Sequence, residues 1–187
     1  MCRHINRIIE KEVGDNITVS VMKESDVDAC VRAILNNFDW LSPRINWVNG
    51  EATYESLTEK FETNLQKISK NNWTEVRSVP FVVKKCNSPV GMVYAAINTN
   101  HKNAYNLGFW ISENEAGNGY ISNAVLGVVS ILYDDFAAKK IEIQCVKDNP
   151  ATQSVARKNG FEFQEIKTQE FCINSKVFDV HCYVKQM

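Results

Sequence analysis

Gly117 and Gly119 stand two positions apart in "ENEAGNGYIS" (113–122), where a strand-like run gives way to a helix-like one. Positions without side chains at such a junction serve one of two ends. They allow a tight turn through positive φ, or they let bare N–H groups approach an anion at a helix N-terminus. A Walker A loop closes on Gly-Lys-Ser/Thr, and Tyr120 after Gly119 excludes that form. A dinucleotide fingerprint needs a third glycine where Ser122 stands, and it opens the first βαβ unit of a domain, whereas this loop comes late. A ligand-free turn and a phosphate cradle of another kind remain. A second polar cluster lies in "DNPATQSVARKNGF" (148–161), where Asn149 and Thr152 bracket the start of a short helix, as caps or as hydrogen-bonding groups. Glu113, Glu115 and Glu170 are either proton acceptors or ordinary surface carboxylates.

These groups need a scaffold, and hydrophobic periodicity describes one. "ITVSVM" (17–22) alternates as a strand. Ser25 or Asp26 then caps a helix carrying Val27, Val31, Ile34, Leu35 and Phe38. Pro43 breaks the pattern between Trp40 and Trp47, and Tyr54, Leu57, Phe61, Leu65 and Ile68 mark a second amphipathic helix. "VPFVVKK" and "PVGMVYAAIN", joined by "CNS", read as a β-hairpin, and "AYNLGFWI" (104–111) as the next strand. Ile121, Val125, Val128, Leu132 and Phe136 form a buried helix face; "KIEIQCV", "NPATQSVARK", "GFEFQEI" and "VFDVHCYV" follow as strand, helix, strand and strand. The order β-α-α-β-β-β-α-β-α-β-β is a meander interrupted by helical crossovers, hence a mixed α/β sheet.

Bulk properties narrow the function. The 187 residues suit one domain, 1–187, with residues 1–15 as an N-terminal extension. Lys plus Arg is 21 against 22 for Asp plus Glu, a balance that gives no footprint for nucleic acid or an anionic membrane. No stretch reaches membrane-span length and the N-terminus lacks a signal-peptide core, so a cytoplasmic location is expected. The six cysteines are scattered without CxxC spacing, and His181 and Cys182, as strand neighbours, point to opposite faces. Reduced thiols and no metal site are expected.

Taken together, the segments resemble the GNAT superfamily of N-acetyltransferases, and within it the RimJ/RimL branch, most of all RimL-like enzymes acting on ribosomal protein N-termini. "AGNGYI" (116–121) matches the family's pyrophosphate loop, written Gln/Arg-Gly-x-Gly-x-Gly/Ala. Asn149, Thr152, Gly160 and Phe161 match its "N-x-x-S/T…G-F" spacing; "LGFWI" matches the strand ahead of the loop, and Trp40, Leu41 and Trp47 match a "WL…W" segment. Ala116 and Ile121 depart from the pattern, replacing Gln/Arg and Gly/Ala. Backbone N–H groups hold the phosphates in this family, so the Ala116 change weakens rather than abolishes binding. Ile121 is acceptable if it points into the core.

The resemblance implies a mostly antiparallel sheet of about seven strands flanked by four helices (an α+β arrangement), with acetyl-CoA as co-substrate and no metal. It implies donor contacts from Trp110, Ile111, Ala116, Gly117, Asn118, Gly119, Tyr120, Ile121 and Asn149. The pantetheine arm lies along the strand near Trp110 and Ile111, where one N–H can polarise the thioester carbonyl. An α-amine, with a pKa near ~8, needs only a weak base, and Glu170 lies near the acceptor in RimL-like enzymes. Thr152 occupies the position of the hydroxyl that protonates the leaving thiolate, with helix capping as its structural alternative. Tyr120 and Tyr133 are lesser proton donors. Trp40 and Trp47 are core packing or the wall of the acceptor pocket. Three functions stay open: acetylation of a ribosomal protein N-terminus, acetylation of a small amine (a polyamine, aminoglycoside or amino-acid conjugate), and a catalytically silent acyl-CoA-binding module. Either a monomer or a homodimer is compatible with the sequence.

Overall fold

The computed structural model describes all residues except 1–8, 15, 49, 71–74, 99–100, 102, 174–175 and 187, and side chains are not described over 169–176. Its strands are β1 (Glu10–Gly14), β2 (Ile17–Val21), β3 (Ser78–Lys85), β4 (Ser88–Ile97), β5 (Ala104–Ile111), β6 (Lys140–Val146), β7 (Glu162–Ile173) and β8 (Lys176–Gln186). Its helices are α1 (Val27–Asn36), α2 (Phe38–Leu41), α3 (Tyr54–Ser69), α4 (Tyr120–Asp134) and α5 (Pro150–Lys158). The strands form one sheet in the order β1-β2-β3-β4-β5-β6-β8-β7. Every adjacent pair is antiparallel except β5 with β6. The expected mixed sheet is present, with one strand and one short helix more than the sequence suggests.

The extra strand is β1, in the segment read as an N-terminal extension; it pairs with β2 at the sheet edge. The extra helix arises because α1 stops at Asn36, so Phe38 opens α2 instead of closing α1. Neither Ser25 nor Asp26 caps α1 through its side chain. Asp26 instead accepts from the Lys23 N–H at 3.0 Å and pairs with Lys84 at 2.7 Å.

Strand alternation sorts side chains to the two faces of the sheet. Val79, Phe81, Val83, Val93, Leu107 and Ile143 pack with Val125, Val128 and Leu132 of α4. Val82, Met92 and Trp110 pack on the other face with Val31 and Ile34 of α1 and Phe61 and Leu65 of α3. The β3–β4 hairpin turns at Cys86 and Asn87, with φ of 48° and 67°. Two left-handed residues in a two-residue loop make the type I′ turn whose twist matches that of the strands.

Candidate active site

The pairing between β5 and β6 runs only from Ala104↔Lys140 to Leu107↔Ile143. β5 continues to Ile111 and β6 to Val146, so the parallel strands diverge beyond that point. The Ser112 N–H donates to Val90 O at 2.7 Å, and Gly91 stands opposite Ile111. Antiparallel residues alternate in the direction of their N–H and C=O groups. Those of Trp110 and Gly108 therefore turn to β4, while those of Phe109 and Ile111 point into the gap that β6 has left. Of the two strand positions read as donor contacts, Ile111 presents its backbone to the opening. Trp110 does not: its backbone faces β4 and its indole is buried in the α1–α3 core. The sequence did not single out Phe109, because only the register shows which way its N–H points.

A cavity of about 1490 Å³ occupies this gap and continues past β4 to α2 and α3. Phe109, Ile111, Ile121, Asn149 and Thr152 are among its lining residues, as are Trp40, Trp47 and Tyr94. Ile121 is half-buried, packing against the α4 core while also lining the cavity. Trp47 meets Tyr94 edge to face at 5.5 Å beneath the Lys60 ammonium, 4.2 Å from the indole centroid. The Tyr94 hydroxyl contacts Met92 Sδ at 3.1 Å, and desolvation pushes its pKa up, so the phenol stays neutral.

Gly91 makes the close approach of β4 and β5 possible. A Cβ there would lie 2.5 Å from Trp110 O and 3.2 Å from Ile111 Cα. Gly91→Ala is expected to force the strands apart at the cavity wall and to cost about 1–3 kcal/mol, as overpacking does. The check is a thermal melt, with a fall in Tm of roughly 2–4 °C per kcal/mol. An unchanged Tm would show that the strands absorb the methyl group.

The glycine loop stands at the rim. Gly117 and Gly119 have φ of 82° and 79°, and Gly119 holds the N-cap position of α4 with no side chain capping it. The first N–H groups of α4 therefore lack partners within the helix. Ala116, Gly117, Asn118 and Gly119 are all exposed, and none of them lines the cavity. Asn118 Nδ2 donates to Glu115 O at 3.3 Å. Lys85 pairs with Glu115 at 2.9 Å and lies over the Tyr120 ring. None of Glu115, Tyr120 and Tyr133 lines the cavity.

Asn149 caps α5: its Oδ1 accepts from the Thr152 N–H at 3.0 Å, with Pro150 in the first turn. The Thr152 hydroxyl is not the cap; it is half-buried at the cavity wall. At the other end of α5, Asn159 Nδ2 donates to Ser122 O and Ser122 Oγ, both at 3.1 Å, which ties α5 to the first turn of α4. Cys145 also lines the cavity, and burial pushes its thiol up to about 11, so at neutral pH it carries no thiolate nucleophile. Glu170 lies in β7 within the bulge between Lys167 and Phe171. Its side chain is outside the described residues.

Residues 16–162 match the acetyltransferase (GNAT) domain family. The chain belongs to the GNAT acetyltransferases. The co-substrate of this family, acetyl-CoA, suits a gap lined by free strand backbone and rimmed by a glycine loop. Ribosomal-protein-serine acetyltransferase of Escherichia coli (strain K12) is 23% identical over 175 residues, spanning 93% of this chain and 94% of that one. The structure of RimL, an alpha-N-protein acetyltransferase of a ribosomal protein, in complex with coenzyme A superposes with a TM-score of 0.84 at 22% identity. That match covers 97% of this chain and 98% of RimL. A microcin C7 self-immunity acetyltransferase in complex with acetyl-CoA and AMP gives 0.80 at 19% identity, covering 94% of each chain. Among the described residues of this GNAT domain, no group of His, Cys, Asp and Glu is arranged to hold a metal ion, and no helix is long and apolar enough to cross a membrane.

Proposed function

We propose that this GNAT domain transfers the acetyl group of acetyl-CoA to the N-terminal α-amine of a protein, of the ribosomal class, in the cytoplasm. The observation that carries this reading is the divergence of β5 and β6 between two helix N-termini. The pyrophosphate is held by the N–H groups of Gly117, Gly119, Tyr120 and Ile121 and by the positive end of α4. The pantetheine amides pair with the backbone of Phe109 as an added strand would, and Asn149 closes the far side.

The amine nitrogen attacks the thioester carbon, and the Ile111 N–H stabilises the negative charge that develops on the carbonyl oxygen. As the tetrahedral centre collapses, the C–S bond breaks and its electron pair goes to sulfur. Thr152 passes its proton to the thiolate and regains one from solvent, which also takes up the proton that Glu170 releases. The nitrogen gives up one proton, and Glu170 is the group assigned to take it. Trp47 and Tyr94 wall the acceptor end.

A synthetic peptide with a free N-terminal serine, incubated with acetyl-CoA, should gain one acetyl group by mass spectrometry and release one thiol. Intact masses of ribosomal proteins from cells with and without the chain should then differ by one acetyl group on the natural acceptor. Turnover on polyamines or amino-acid conjugates but on no peptide would move the acceptor to the small-amine class. Binding of acetyl-CoA without turnover on any amine would leave a silent binding module.

A further inference from the structure

Trp40 lines the cavity, and the one hydrogen-bonding group of its side chain is spent on the end of β5. Its indole Nε1–H donates to Ile111 O at 3.1 Å. One face of the indole is covered by the Arg44 guanidinium, 3.9 Å from the ring centroid, and Arg44 also donates to Trp40 O. A ring so covered and so bonded is poorly placed to stack on an acceptor.

Three residues earlier, Asn37 reaches the same segment. Its Oδ1 accepts from the Glu113 N–H at 3.0 Å, while its Nδ2 donates to Ala33 O at 2.8 Å and approaches Ser112 Oγ at 3.4 Å. From the opposite side, the Ser112 N–H is bonded to Val90 O. Three consecutive residues, Ile111 to Glu113, are thus fixed from the α1–α2 junction and from β4 together. These are the residues that end β5 and begin the glycine loop.

We infer that Trp40 and Asn37 are positioning residues of the donor site: they set the Ile111 peptide and the entrance to the glycine loop, and so fix how far the pantetheine platform stands from the phosphate cradle. The inference rests on the proposed binding of acetyl-CoA along β5. The peptide plane joining Ile111 to Ser112 is held on both sides, its carbonyl by the Trp40 indole and its N–H by Val90 O. The Ile111 N–H belongs to the preceding plane, and fixing the plane that follows limits rotation about Ile111 and so restrains the direction of that N–H.

Trp40→Phe keeps the ring and removes the N–H. It is expected to raise the Kd for acetyl-CoA about tenfold, the value of one hydrogen bond to an otherwise unpaired backbone group. It should leave unchanged the affinity for phosphoadenosine diphosphate, which is CoA without its pantetheine arm. Asn37→Ala frees the Glu113 N–H at the loop entrance and should weaken both ligands. Isothermal titration of both ligands against wild type and both variants, with Tm recorded alongside, reads all of this on folded protein. Wild-type acetyl-CoA affinity in Trp40→Phe would overturn the inference, and so would an equal loss for both ligands, which would assign Trp40 to packing. Asn37→Ala is a second route to the same segment if Trp40→Phe does not fold. A wild-type protein that binds neither ligand would sink the proposed function itself, a result distinct from variants that match a wild type that binds.

Discussion

Gly119→Val should yield a folded protein that no longer binds acetyl-CoA at concentrations that saturate the wild type. Gly119 has φ of 79° and caps α4, and a Cβ built on it would meet nothing within 4 Å. The empty space beside it is where an anion must lie to reach the first N–H groups of the helix. A branched side chain enters that space, and it also resists the left-handed conformation, at a cost on the order of 1–3 kcal/mol. Hydrogen bonds to a charged group contribute about 1.5–3 kcal/mol each. Losing two of them raises Kd by roughly 10²–10⁴-fold. Circular dichroism confirms the fold and isothermal titration reads the affinity. A folded Gly119→Val protein with wild-type affinity would return the glycines to the role of a plain turn.

Thr152→Val should lower kcat while leaving the Kd for acetyl-CoA nearly unchanged. The structure separates two roles that the sequence left joined. Asn149 supplies the cap of α5, and Thr152 contributes to it only a backbone N–H, which valine keeps. Its hydroxyl therefore has no capping duty to lose, and the variant should melt close to wild type. Proton delivery by a positioned group is typically worth ~10²–10⁴-fold, and a water that substitutes for the hydroxyl would bring the loss toward the lower figure. Valine matches threonine in shape, so a packing defect is a poor rival explanation. Tm, Kd and kcat from one preparation decide the matter: a stable, donor-binding, fully active Thr152→Val enzyme ends the catalytic role.

Much of the scaffold was legible because each side chain reports its own burial. Period-two runs gave β2 to β6, and the apolar faces of α3 and α4 fell on the expected residues. β1 escaped because "EKEVG" is short and mostly charged, and it lies at the edge, where alternation is weak. The break at Asn37 escaped because Phe38 continues the apolar face of α1 across it. The insertion of β8 between β6 and β7 is a long-range pairing that leaves no local trace. At the site, the glycine loop and the Asn149–Thr152 pair were visible as motifs. The outward direction of the Phe109 and Ile111 backbone groups was not, because it is set by register. The duties of Asn37 and Trp40 depend on partners more than seventy positions away.

The divergence of β5 from β6 also bears on how long the protein survives. A sheet opened near its centre leaves unsatisfied backbone facing water, and opening fluctuations that expose chain to proteases start most readily there. A donor that fills the gap closes the sheet as a missing strand would, and it binds the native state alone. At a donor concentration 100 times Kd, mass action adds ~2.7 kcal/mol to stability. Under the proposed donor binding, the resistance of the purified protein to proteolysis should therefore rise with acetyl-CoA concentration.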